Sequence, residues 1–229
     1  MFQFQFSTLN PFTHSEIPLG SNILLIGPPG VGKTVLCDIL IREYLRNGTE
    51  ALFVALDQTP RDVRKQIGLI PDLTENYEKL VFVDGYSWLI GELNESYRVG
   101  NLCNLSDLSS EIFSAMNKLG ESKCFAFDSI STLLVYNTEN DVERFLKTNM
   151  ARMKHFNNLG LWIVELGIHS ESFYNMLRHM ADGILEMRFE EHEEITHLIR
   201  MHTFKGLEHI TRWARFDICS NGEVIIENK

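Results

Sequence analysis

At 229 residues, with 44% hydrophobic and 23% charged side chains and a formal net charge of −10, the chain has the composition of an ordinary globular protein. That composition excludes a disordered or disulfide-built chain, and the acidic balance excludes a protein whose main affinity comes from clustered Lys and Arg on nucleic acid phosphates. One domain is expected over residues 1–229, with residues 1–20 as an N-terminal extension and 190–229 as a hairpin region.

No apolar run approaches the ~18–20 residues of a membrane-spanning helix, and the opening MFQFQFSTLNPF lacks a basic start followed by an apolar block. A cytoplasmic location without membrane contact is expected. Cys37, Cys103, Cys124 and Cys219 contain no CxxC pair, so they read as reduced thiols rather than a zinc site or a disulfide framework.

After an irregular opening, Asn22–Ile26 is a continuous apolar run, the pattern of a strand buried on both faces of a parallel sheet. From Lys33 to Arg46, Leu36, Ile39, Leu40 and Tyr44 recur at helical spacing, with Asn47-Gly48 as the stop. The alternation continues as strand Ala51–Leu56, helix Pro60–Leu69, strand Leu80–Val83, helix Ser106–Leu119 and strand Cys124–Phe127. Helix Asp141–Asn157, whose apolar stripe reads as core, strand Leu161–Leu166, helix Tyr174–Met180 and a strand-like Gly183–Phe189 follow.

Between the third strand and its helix, Gly85–Leu105 is rich in Gly and Asn, and reads either as a functional loop or as a partly helical packing insertion. Beyond residue 190 helical patterns stop, and Ile195–Phe204, Thr211–Ile218 and Glu223–Ile226 read as antiparallel hairpins on the sheet edge. The acidic run Glu190-Glu191-His192-Glu193-Glu194 reads as a solvated turn, with a metal site as the alternative. The expected fold is α/β, a mainly parallel sheet flanked by helices with antiparallel C-terminal hairpins.

Gly27-Pro28-Pro29-Gly30-Val31-Gly32-Lys33-Thr34 satisfies Gly-x-x-x-x-Gly-Lys-[Ser/Thr] and lies after an expected strand and before an expected helix. In that context the glycines turn backbone amides inward around phosphates, and the helix N-terminus adds its positive dipole. Lys33 reaches the β and γ phosphates of ATP, and the Thr34 hydroxyl ligates Mg²⁺. The nucleotide-binding candidates run from Gly27 to Val35, and the metal candidates are Thr34 and Asp128, a carboxylate closing the strand CFAFD. A helix cap is the alternative reading of Asp128.

With the phosphate loop, the stretches FAFDSISTLL (Phe125–Leu134) and HMADGILEM (His179–Met187) resemble RecA-superfamily ATPases of the KaiC and GvpD type, over most of the chain. The resemblance implies an archaeal or bacterial origin, ATP bound between subunits, and assembly into a homo-oligomeric ring or hexamer, or with a partner protein. The family usually carries paired glutamates after the second strand, one of which polarises the attacking water; this chain reads Asp57-Gln58 there. The family's Lys-x-Arg-Gly-x-x-His, which projects cations onto a neighbour's ATP, becomes Thr203 to His209, leaving Lys205 and His209 as trans-acting candidates.

A compact ammonium lacks the bidentate fork of an Arg, and an Asp is one methylene shorter than a Glu. Slow hydrolysis or a switch with little turnover is therefore the expectation. Glu165 falls where relatives place a γ-phosphate sensor, but also reads as a strand-end Glu paired with a Lys. DNA is not the expected partner, because the loop Gly167–His179 has no Gly-Gly or Lys-rich run; a recombination-mediator-like relative of RecA stays open as an alternative.

Overall fold

The computed structural model describes residues 3–68, 79–92, 94–191, 194–219 and 224–228. Its opening segment has more order than the irregular stretch expected from the pattern. β1 (Gln3–Phe4) pairs antiparallel with β2 (Ile17–Pro18) across a 3-10 turn at Ser7–Leu9. Phe6, Leu9 and Phe12 are buried in the core. The Glu43 carboxylate accepts hydrogen bonds from Ser7 Oγ at 2.7 Å and Thr8 N at 3.0 Å, which tethers the segment to the first helix.

The strand and helix order follows the expected alternation: β3 (Asn22–Gly27), α1 (Lys33–Arg46), β4 (Ala51–Ala55), α2 (Pro60–Ile67), β5 (Leu80–Asp84), β6 (Tyr97–Arg98) and α3 (Leu105–Lys118). Then come β7 (Cys124–Asp128), α4 (Ile130–Tyr136), α5 (Glu139–His155), β8 (Leu159–Glu165), α6 (Glu171–Met180), β9 (Gly183–Glu191), β10 (Ile195–Phe204), β11 (Ala214–Ile218) and β12 (Val224–Asn228). They form one ten-stranded sheet in the order β12-β11-β10-β9-β3-β8-β7-β4-β5-β6. From β9 to β6 neighbours are parallel, and β10 to β12 add antiparallel pairs at one edge.

Of the two readings of the stretch 85–105, the partly helical packing insertion is the nearer one: it holds a 3-10 turn at Ser87–Ile90 and the edge strand β6, and it buries Val99 and Leu102 in the core. Helix α4 was not legible as a separate element, because its seven residues are too few to show a full apolar period. Ser129 starts it by accepting from Thr132 N. Leu69, His192, Glu193 and Glu223 lie outside the described residues.

The central strands alternate between two cores. Ile23, Leu25, Phe53 and Ala126 pack toward α1 and α2, while Leu24, Ile26, Phe127 and Trp162 pack toward α3 to α6. Side chains on both faces are thus buried, which is why the strands read as unbroken apolar runs rather than alternating ones. Asn22 is the polar exception at the start of β3. Its Oδ1 accepts from Trp162 Nε1 at 2.9 Å, and its Nδ2 donates to Met150 O at 3.2 Å, joining β3, β8 and α5 inside the core.

Replacing Asn22 by Leu leaves the Trp162 indole N–H buried without a partner, while Met150 O keeps its place in the hydrogen-bond ladder of α5. At about 1–3 kcal/mol per unsatisfied group, the expected loss in denaturant unfolding is of that size. A loss below about 1 kcal/mol would show that the Asn22 bridge contributes little.

Candidate functional site

β3 ends at Gly27 between β8 and β9, and the chain then turns through Pro28–Gly32 into α1. The turn requires glycine twice: Gly30 has φ +76° and Gly32 φ +101°, both left-handed. A Cβ on Gly27 would lie 2.6 Å from the Met187 carbonyl oxygen, so the loop and β9 approach too closely for any larger residue. Gly32 is the N-cap of α1 and brings no capping side chain. The helix's first N–H groups, which have no intrahelical acceptors, stay available for an anion together with the helix dipole.

The loop is pinned from a distance. His197 on β10 places Nδ1 3.1 Å from Val31 O, and since a carbonyl can only accept, the ring nitrogen donates. Nothing in the sequence pattern marks His197, which is 166 residues away from its partner.

Lys33 is buried, and its ammonium donates to Pro28 O at 2.8 Å and to Glu165 Oε2 at 3.0 Å. Of the two readings of Glu165, the pairing with a lysine is the contact seen. Its backbone N–H donates to Ser131 Oγ, which also contacts His169 Nε2 at 2.8 Å. The Thr34 hydroxyl lies 3.1 Å from Asp128 Oδ2. Asp57 accepts from the Thr132 hydroxyl of α4, and Gln58 exchanges amide hydrogen bonds with Gln66 at 2.9 and 3.3 Å.

Thr34, Asp38, Asp57, Gln58, Asp128 and Ile218 line a single cavity of about 480 Å³ beside the loop. A larger polar groove of about 650 Å³ runs between α3 and α5 and includes Ser109, Arg144 and Arg152, but none of the groups above. Thr34 and Asp128 supply hard oxygen donors on one cavity wall, the chemistry magnesium takes. Among the described residues no three His, Cys, Asp or Glu side chains are placed to hold a metal by themselves. The fit is therefore to a cation that keeps most of its ligands as water or phosphate.

Burial pushes the Asp128 carboxyl up from 3.8 to about 7, and the neighbouring Asp57 carboxylate adds to the rise. The Thr34 hydroxyl and the Lys33 ammonium pull it back, while Glu165 raises it slightly. Asp38 is also held well above the ordinary carboxylate range, first by burial and then by Asp128, with the Arg42 guanidinium in opposition. Burial lowers His169.

Two of the residues singled out from the sequence lie elsewhere. Lys205 donates its backbone N–H to Asp182 O and its ammonium to His179 O. His209 contacts Leu207 O. Phe204 stands opposite Gly183, and Gly183 opposite Ile23, so Lys205 sits at the N-terminal end of β3. Gly27 is four residues further along, about 13 Å at ~3.3 Å per residue. The phosphate loop of the same chain is at the other end of the sheet.

The sign of the pH effect follows from Asp128. Its folded-state value of about 7 exceeds the ordinary 3.8, so the folded protein holds a proton that the unfolded chain releases. The stability associated with that proton is lost as pH rises from about 4 to about 7. In metal-free protein, Asp128→Asn should raise the melting temperature more at pH 8 than at pH 5. An equal gain at both values would contradict the buried, charge-crowded setting.

A family model described as "ATPase: KaiC" matches residues 6–229. A UPF0273 protein of Thermotoga maritima is 26% identical over 227 residues, covering 95% of this chain and 92% of that relative. A UPF0273 protein of Methanopyrus kandleri is 29% identical over 216 residues, covering 90% and 84%. The crystal structure of a KaiC-like protein from Pyrococcus horikoshii superposes with a TM-score of 0.78 at 16% identity, covering 100% of this chain and 98% of that one. With the phosphate loop at the switch between β3 and α1 and a family match over nearly its whole length, the chain belongs to the KaiC ATPase family, RecA-superfamily P-loop proteins that bind nucleotide.

Proposed function

We propose that the protein binds ATP with Mg²⁺ at Gly27–Val35 and hydrolyses it slowly, coupling nucleotide state to assembly of copies of the chain. The observation that carries this reading is the uncapped N-terminus of α1 beside the Thr34–Asp128 pair. Lys33 is the group that would turn from Glu165 to the β and γ phosphates. Thr34 and Asp128 would hold magnesium, whose contribution when bound is neutralisation of phosphate charge. Ile218 offers an apolar wall to the same cavity.

Asp57 is the proposed general base. It faces the cavity close enough to Asp128 to perturb it. Its hydrogen bond from Thr132 and the Gln58–Gln66 pair both hold the catalytic candidates in fixed contacts. Those contacts favour a second reading, a nucleotide-dependent switch with little turnover. The position of Lys205 and His209 at the far end of the sheet supports action on a neighbouring copy rather than on the same chain. We further propose that residues 1–229 form one domain, because α1, the N-terminal segment and the C-terminal strands share a core.

The test is phosphate release measured over a range of protein concentrations with ATP and Mg²⁺. Lys33→Ala should lose at least tenfold in nucleotide affinity, given ~1.5–3 kcal/mol for a hydrogen bond to a charged group. Asp57→Asn should keep binding and lose ~100-fold or more in turnover, the scale of general-base catalysis. Tight ATP binding with no release by the wild type would establish the switch reading, and unchanged affinity in Lys33→Ala would refute the site.

A further inference from the structure

α1 carries an acidic residue inside an apolar stretch. Asp38 stands one turn beyond Thr34, and the i to i+4 spacing puts both side chains on one face of the helix. Asp38 is only 6% exposed, yet its Oδ1 has no hydrogen-bond partner. It opens on the same cavity as Thr34 and Asp128. An unpartnered carboxylate oxygen taken out of water is costly unless a donor or a cation meets it.

The surroundings decide which. Asp38, Asp57 and Asp128 all line one cavity, whose volume of about 480 Å³ has room for an ion with its waters. Arg42, one turn further along α1, also lines it and counters part of the Asp38 charge, but Oδ1 is left without a bond. Among the described residues no three His, Cys, Asp or Glu side chains are placed to ligate a metal directly. Without such a cluster a cation here keeps most of its waters, and a contact with Asp38 through one of them suits magnesium, which sheds its waters reluctantly.

We propose that Asp38 completes the cation site by accepting hydrogen bonds from the water shell of a divalent cation held at Thr34 and Asp128, an inference that rests on the cation reading above. Asp38 is then a positioning residue, one that orients the hydration shell without touching nucleotide. A carboxylate in this role acts only when the cation is present, which separates it from a residue that shapes the loop.

The experiment is calorimetric titration of the full chain with ATP, once with Mg²⁺ and once with a chelator, so that the readout is the strengthening of ATP binding by Mg²⁺. Asp38→Asn should reduce that strengthening ~10–100-fold, the usual effect of removing an outer-shell partner, while the affinity in chelator stays within about twofold. A melting scan of the metal-free variant establishes that it is folded. Asp38→Ala, favourable in a helix, should give the same loss.

A folded Asp38→Asn protein with full strengthening by Mg²⁺ would overturn the proposal and leave Asp38 as a structural partner of Arg42. If wild-type ATP binding is itself indifferent to Mg²⁺, the reading of Thr34 and Asp128 as a cation site fails and this inference fails with it. If Mg²⁺ matters in the wild type but not at Asp38, only the Asp38 assignment falls.

Discussion

At the end of β7 the Asp128 carboxyl is carried into the protein interior, 3.1 Å from the Thr34 hydroxyl, and the groups around it respond to that charge. Burial and Asp57 favour its protonated form, while Lys33 and Thr34 favour the ionised one. Three carboxylates line one cavity beside a helix N-terminus whose dipole also calls for negative charge. In the proposed function a polyanion and a cation balance this set together, with phosphate on the amides and Lys33 and the cation among the oxygens.

The sheet is what allows this crowding. Parallel strands covered on both faces bring every strand end to one edge, and the crevice there is where open α/β sheets take their ligands. β3 delivers the loop, β4 delivers Asp57, β7 delivers Asp128 and β8 delivers Glu165, all at their C-terminal ends. The antiparallel edge does a different job. β10 reaches back to Val31 through His197, while its far end carries Lys205 away from the loop. One strand thus touches both the phosphate loop and the end of the molecule proposed to meet a neighbouring copy.

Much of this was legible in the residues. The segment β3, loop and α1 is contiguous, and each residue type in it has a local physical reason. The burial of β7 made Asp128 readable as a strand-end carboxylate. What could not be read were contacts set by sheet order. Lys33 and Glu165 are 132 residues apart, and the pattern left Glu165 with two readings until β3 and β8 were seen to be neighbours. His197 occupies an unremarkable strand position. Asp38 carried a faint signal, an acid among Leu36, Cys37, Ile39 and Leu40, but helical spacing alone does not tell whether such a residue faces solvent, a partner or a cavity. The short opening strands and α4 fell below the length at which periodicity speaks.

In the proposed function the loop Gly27–Thr34, with Asp128 behind it, receives the phosphates of ATP. A crystal structure of the protein grown with Mg²⁺ and a non-hydrolysable ATP analogue tests it most directly. The β and γ phosphates should lie on the backbone amides of the loop, with Lys33 Nζ turned from Glu165 to the phosphates and the cation at Thr34. Nucleotide bound elsewhere, with the Lys33–Glu165 pair intact, would contradict it.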